Sequence, residues 1–207
     1  MNVLVIGAAG KAGQLVVTEA LAAGHAVTAL VHDDTDYHAP AGVHVIVGDA
    51  TNTGTVNRAV RGQDAVIDAV GGHTPYLTTH LEEDIARAVV AAMRYHRVRR
   101  LVVISVLGAG DSKAQATFLY EHLLMPTLLR GAVPDKEAME DTVQHSGLDF
   151  VLVRPPVLSD DPATGSTRIV TGEDKAHSLT RADLAQFLVA QLTSNEHLGQ
   201  AVVVANE

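Results

Sequence analysis

The sequence predicts an α/β fold, a doubly wound parallel sheet between two helical layers, and three observations predict it. Short apolar runs alternate with longer helical patterns along the chain, the order produced when crossover helices wind a parallel sheet. The first run, Val3-Leu4-Val5-Ile6, contains no polar residue, as a strand buried on both faces requires. It ends on a glycine-spaced turn, Gly7-Ala8-Ala9-Gly10-Lys11-Ala12-Gly13, that leads into an amphipathic helix.

The elements follow in order. Residues 2–6 form the first strand. Residues 14–23 form a helix that turns Leu15, Val16, Ala20, Leu21 and in part Thr18 towards the sheet, and Gly24 ends it. Residues 25–31 and 43–47 are strands two and three. Residues 53–61 make a short helix capped by Thr53, and 65–69 strand four. The long helix over 81–95 places Ile85, Val89, Ala92 and Met93 on one face, and strand five spans 100–105. Residues 118–130 and 136–145 read as helices, the second stopped by Ser146-Gly147. Strand six covers 150–154 and is closed by Pro155-Pro156. An edge strand over 167–171 follows the turn Pro162-Ala163-Thr164-Gly165. A helix at 184–192 and a strand at 201–205 complete the alternation.

No repeat, low-complexity stretch or linker interrupts this pattern, so one three-layer domain over residues 1–207 is expected, within the roughly 100–250 residues one core serves. The net charge of −9 argues against duplex DNA or an anionic membrane, which need clustered Lys and Arg. No apolar run approaches the ~18 residues of a membrane span. The opening Met1-Asn2-Val3 lacks the basic start of a signal peptide, and the chain has no cysteine. A cytoplasmic protein without thiol chemistry is expected.

The glycine turn carries the chemistry. A dinucleotide site needs a strand, a tight turn and a helix whose free N–H groups face the diphosphate. Gly7 permits the turn, Gly10 removes a Cβ where phosphate approaches, and Gly13 lets the helix pack close to the strand. Ala9, Lys11 and Ala12 complete the loop. The spacing is G-x-x-G-x-x-G, and Lys11 is not a Walker lysine, because Val5 occupies the required upstream glycine position. A Rossmann-type cofactor fold follows.

Strand two ends on Val31-His32-Asp33-Asp34. The acid that binds the ribose hydroxyls of NAD is missing from the strand end, and His32 can donate to a 2′-phosphate. NADP(H) is therefore favoured over NAD(H), although Asp33 and Asp34 would repel that phosphate if turned inward. Later strand ends add Asp49 and Ala50, with Asp49 facing the adenine amino group. Ala69, Val70, Gly71 and Gly72 leave room for the ribose, and Ser105 ends strand five.

Several segments resemble the atypical short-chain dehydrogenase/reductase group, on the branch of NADPH-dependent flavin reductases that includes biliverdin-IXβ reductase. They are 27–33, Val47-Gly48-Asp49, 62–67, 90–93, Ser146-Gly147-Leu148, Pro155-Pro156, Pro162-Ala163-Thr164-Gly165, Arg181-Ala182-Asp183-Leu184 and Leu192-Thr193. The resemblance implies a seven-stranded parallel-type sheet, NADPH, and a shallow substrate site over the nicotinamide, with Ser105, Val106, Pro155 and Val157 lining it. Two departures stand out. His32 replaces the family's Arg, and none of Tyr37, Tyr76, Tyr95 or Tyr120 has a Lys four residues on, so the Tyr-x-x-x-Lys pair of alcohol chemistry is absent. The likeness lapses over 118–134, which is expected to border the substrate.

Ser105 is the candidate catalytic residue, beside the nicotinamide. Lys136 could approach the cleft from its helix start, although a solvated helix face suits it better. His73, His80 and His122 are possible proton donors, although surface positions suit them better, and their spacing fits no metal motif. Arg154 is expected to pair with an acid. The expected activity is hydride transfer from NAD(P)H to a small-molecule acceptor such as a flavin. The alternative is a non-catalytic NAD(P)-binding redox sensor of the nitrogen-metabolite-repression type.

Overall fold

The polypeptide alternates strand and helix from its first residues. The computed structural model describes residues 1–32, 36–71, 77 and 79–207. Its strands are β1 (Asn2–Ile6), β2 (Ala26–Val31), β3 (His44–Val47), β4 (Ala65–Asp68), β5 (Arg100–Ile104), β6 (Asp149–Arg154), β7 (Val157–Ser159), β8 (Thr167–Val170), β9 (Ser178–Thr180) and β10 (Gln200–Asn206). Its helices are α1 (Lys11–Ala22), α2 (Thr53–Val60), α3 (Leu81–His96), α4 (Ala132–Gln144) and α5 (Arg181–Ala190).

Eight strands form one sheet in the order β3-β2-β1-β4-β5-β6-β10-β8. All neighbours run parallel except β10 and β8. The chain winds outward from β1 to β3, then returns beside β1 with β4 and winds the other way. The C-terminal ends of β1 and β4 therefore form the switch point where such folds leave a crevice. One sheet face packs Val3, Val5, Ile67 and Val102 against Val16, Val17 and Ala20 of α1 and Leu184 and Leu188 of α5. The other packs Leu4, Ile6 and Leu101 against Val56, Ile85, Val89, Met93 and Met139 of α2, α3 and α4. These are the layers of a Rossmann-type α/β fold.

Ile85, Val89, Ala92 and Met93 are buried as expected. Several boundaries differ. Helix α1 begins at Lys11 rather than residue 14, because Gln14 N–H already bonds Gly10 O at 2.9 Å. Leu15 is 37% exposed, and Val17 takes its place against the sheet. Asn52, not Thr53, caps α2 by accepting from Thr55 N–H. Helix α5 starts at Arg181, capped by the Thr180 side chain.

The helix expected over 118–130 contains a π-helical turn at Tyr120–Leu124, with Met125 N–H on Tyr120 O and Leu129 N–H on Leu124 O. Pro126 has no N–H to continue an ordinary ladder. Helix α4 starts at Ala132, because Pro134 falls in the first turn, where no intrahelical partner is required. The sheet has eight strands rather than seven, and the parallel pair β7–β9 was not foreseen, since three residues carry no periodicity. No helix among the described residues is long and apolar enough to cross a membrane.

Candidate functional site

At the crevice, β1 hands over to the glycine turn. Gly7 has φ +74°, and a Cβ there would come within 2.9 Å of the Val70 nitrogen. A Cβ at Gly13 would lie 2.1 Å from Gly7 O and 2.9 Å from the Ala8 Cα. Gly13 thus sets how closely α1 sits on β1. Gly10 differs. Its φ of −70° suits any residue, and among the described residues an added Cβ would meet only Gly7 O, at 3.3 Å. No side chain caps α1, and its first turn carries no acid. The positive end of a twelve-residue helix therefore faces the crevice.

Ala9 and Ala12 are half-buried and Gly10 exposed. Lys11 lies on the rim, its Nζ 2.7 Å from Asp160 Oδ2. Asp160 follows β7 and also accepts from Arg181 Nη1 at 2.5 Å.

At the β2 and β3 ends, His32 is exposed and Asp49 accepts from Thr51 N–H and Oγ1, each at 2.8 Å. Those two bonds, with a smaller contribution from the His32 charge, hold the Asp49 carboxyl below the usual range. Asp49 thus also serves its own turn, and half-buried Ala50 follows it. Asp33, Asp34, Gly72, His73 and Tyr76 lie outside the described residues.

The β4 end holds a feature the sequence reading missed. Asp68 is fully within the fold and accepts from Val70 N–H at 3.1 Å. Burial, reinforced by repulsion from Glu82, pushes its pKa up to about 7, against the opposing pull of Lys136 and the Val70 amide. Ala69, Val70 and Gly71 continue from it and become progressively more exposed.

Lys136 is not on a solvated face. It is 6% exposed, with Nζ 2.7 Å from Ile104 O, 3.2 Å from Val70 O and 2.9 Å from Glu82 Oε2. Helix α4 starts four residues earlier than expected, which points this lysine inward beneath the ends of β4 and β5. Its neighbour Asp135 caps α3 by accepting from the Glu82 and Glu83 amides. A lone acid at the end of Ala65-Val66-Ile67 was the one signal in the sequence of a buried charge here.

The β5 and β6 ends share a second network. Ser105 Oγ donates to Glu140 Oε1 at 2.5 Å. Arg154 grips the same carboxylate with Nε and Nη2 at 2.9 and 2.6 Å, and reaches Asp111 at 2.5 Å. The expected acid partner of Arg154 is therefore Glu140, with Asp111 added. Ser105 is buried, and its proton is engaged away from the crevice. Its carbonyl-side neighbour Val106 is half-buried, Pro155 buried and Val157 47% exposed. Leu107 N–H bonds Pro155 O at 2.9 Å, tying the two strand ends together.

Tyr120 gives its hydroxyl to Leu107 O at 3.0 Å, and burial raises its pKa. His80 stands exposed at the start of α3, 3.4 Å from Glu83. His122 is exposed and stacks on Phe118.

A nicotinamide dinucleotide fits this crevice on one test. The cradle at Gly10 is a space that a Cβ would fill, and unfilled helix N–H groups border it. A separate recess of about 640 Å³ along α4 and β10 is lined by Arg154 with Asp111, Glu137, Glu140 and Asp141. Arg154 is taken up by Glu140 and Asp111, and the acids outnumber it, which opposes a diphosphate.

Comparison with known proteins agrees with this geometry. A family described as NAD(P)H-binding matches residues 7–195. The chain is similar to the UPF0659 protein YMR090W of Saccharomyces cerevisiae, at 29% identity over 93% of this chain and 87% of that protein. It is similar to the anaerobillin reductase ChuY of Escherichia coli O157:H7, at 25% identity and a TM-score of 0.80, covering 100% of this chain and 97% of that one. A wide-type short-chain dehydrogenase/reductase from Veillonella parvula DSM 2008, solved in complex with NADP, shares the fold at 16% identity and a TM-score of 0.82, with coverage of 99% and 94%.

Proposed function

Because the chain belongs to the NAD(P)H-binding family, we propose that it is an NAD(P)H-dependent reductase, passing hydride to a flavin or another flat conjugated acceptor, with residues 1–207 acting as one cytoplasmic domain. The observation that carries the reading is the uncapped α1 N-terminus beneath Gly10, at the sheet's switch point. Gly7, Ala9, Gly10, Lys11, Ala12 and Gly13 hold the diphosphate. Asp49 and Ala50 border the adenosine, and Ala69, Val70 and Gly71 the ribose. Ser105, Val106, Pro155 and Val157 border the nicotinamide.

The nicotinamide would supply the hydride, and the chain supplies its orientation. Lys136 fixes the Val70 and Ile104 carbonyls, and so holds the β4 and β5 ends in register. Ser105 serves as a main-chain wall, because its hydroxyl proton is held by Glu140. An acceptor that can take its proton from water suits such a site. NADP(H) is favoured over NAD(H) because the β2 end offers His32 in place of an acid, and because a fold neighbour binds NADP.

The engaged Ser105 proton and the missing Tyr-x-x-x-Lys also support the second reading, a redox sensor that binds the nucleotide without turning it over. One assay separates them. The pure protein is mixed with NADPH or NADH and FMN, and the nicotinamide absorbance is followed. Turnover supports the reductase. Tight binding without turnover across several flavins and quinones supports the sensor.

A further inference from the structure

The ionic contact on the rim of the glycine turn has an unusual composition. Lys11 is the first residue of α1 and Arg181 the first of α5. A cation at a helix N-terminus opposes the helix dipole, so each is placed against the local field. Asp160 relieves both at once, with Oδ2 on Lys11 at 2.7 Å and Oδ1 on Arg181 at 2.5 Å. It is the carboxylate that the first turn of α1 lacks. It reaches that place from the segment after β7, which follows Pro155-Pro156.

The two halves of the contact differ in exposure. The Lys11 and Asp160 side chains are 71% and 59% exposed, whereas Arg181 is 21% exposed. An ion pair between exposed partners is weak and exchanges readily. Arg181 is the better-shielded of the two partners, so Lys11 is the one that an incoming anion can reach.

We propose that Asp160 is a displaceable counter-ion of the dinucleotide site: it holds Lys11 in reserve, and the ligand's diphosphate displaces it from Lys11 on binding. The proposal rests on the glycine-turn reading above and adds an affinity-setting residue outside that turn. Asp160 acts through Lys11 and is a positioning residue. Competition with an internal carboxylate lowers affinity for any ligand carrying the diphosphate, whether or not a 2′-phosphate is present.

The test is a double-mutant cycle on the full chain, with NADPH and NADH dissociation constants measured by calorimetry. Asp160→Asn is expected to tighten both nucleotides about two- to fivefold, the range of an exposed ion pair. Lys11→Gln is expected to weaken both, and Asp160→Asn added to Lys11→Gln to give no gain. A merely structural Asp160 would lower the melting temperature and leave both constants where they were. Unchanged or weaker binding in Asp160→Asn, a gain that persists without Lys11, or a gain limited to NADPH overturns the proposal. If the unsubstituted protein binds neither nucleotide, the glycine-turn reading itself fails and the proposal goes with it.

Discussion

Gly10→Ala separates the ligand-binding part of the glycine turn from its folding part. At Gly10 the backbone is ordinary, with φ −70° and ψ 160°, and among the described residues the new methyl meets only Gly7 O, at 3.3 Å. The reduced freedom of the unfolded chain contributes about 0.4–1 kcal/mol, offset by that tight contact, so folding stability should move by less than about 1 kcal/mol. The methyl, however, stands in the space proposed for the diphosphate. Losing one charge-assisted backbone hydrogen bond costs about 1.5–3 kcal/mol, a weakening of roughly 10- to 150-fold in Kd.

Gly13→Ala behaves differently. Its Cβ falls 2.1 Å from Gly7 O and 2.9 Å from the Ala8 Cα, and both are backbone atoms that cannot swing aside. Overpacking of this kind costs about 1–3 kcal/mol or more, which lowers Tm by roughly 2–12 °C for a chain of this size. Thermal melts and calorimetric titration with NADPH on both variants decide the matter. Unchanged NADPH affinity in a well-folded Gly10→Ala protein would refute the placement of the diphosphate.

Further predictions follow from the buried charges and the β2 end. Asp68 keeps its proton to about pH 7 in the folded protein against a reference of 3.8, so the native state binds more protons between those values and stability falls as pH rises through that window. The loss is at most about 4 kcal/mol; in denaturant titrations the advantage of Asp68→Asn over the parent should grow from about pH 4 to about pH 7 and then level off, and a pH-independent difference would contradict it. Asp183 is the opposite case: although burial alone would raise its pKa, bonds from Thr164, Thr180, Asn206 and Gly165 lower it to about 2. Its contribution is therefore full above 3.8 and lost as pH falls towards 2, and Asp183→Ala should cost about 1–3 kcal/mol by stranding the Thr180 hydroxyl and the Asn206 amide, seen as a Tm drop near neutral pH. Glu140→Ala leaves the buried Arg154 guanidinium, among the described residues, with the exposed Asp111 alone, a cost of about 3–5 kcal/mol readable by urea denaturation; a neutral result would mean that water replaces the carboxylate. His32→Arg should tighten NADPH over NADH by roughly fivefold, about 1 kcal/mol, and an unchanged ratio of dissociation constants would remove His32 from the site.

The parallel sheet, the helix faces and the glycine turn were legible because they rest on local rules. Val3 to Ile6 read as a buried strand from its composition, and Ile85, Val89, Ala92 and Met93 as one helix face from their spacing. The turn was legible from three glycines, of which Gly7 and Gly13 have backbone reasons for lacking a side chain and Gly10 leaves room beside the helix N-terminus. The boundaries that failed were those where a single bond decided: Asn52 rather than Thr53 at the α2 cap, Arg181 rather than residue 184 at the start of α5, and Tyr120–Leu124 as a π-turn before Pro126.

What the sequence by itself determined is the fold class and the location of a nucleotide-type turn, because periodicity and glycine spacing act over a few residues. Tertiary structure alone decided which charges meet. Lys136 faces Ile104 O, Val70 O and Glu82, Ser105 and Arg154 converge on Glu140, and Asp160 spans Lys11 and Arg181. The partners in those contacts lie from 14 to 149 residues apart. The energy of a charge depends on its burial and on its nearest opposite charge, and both are properties of the packed chain rather than of any local pattern.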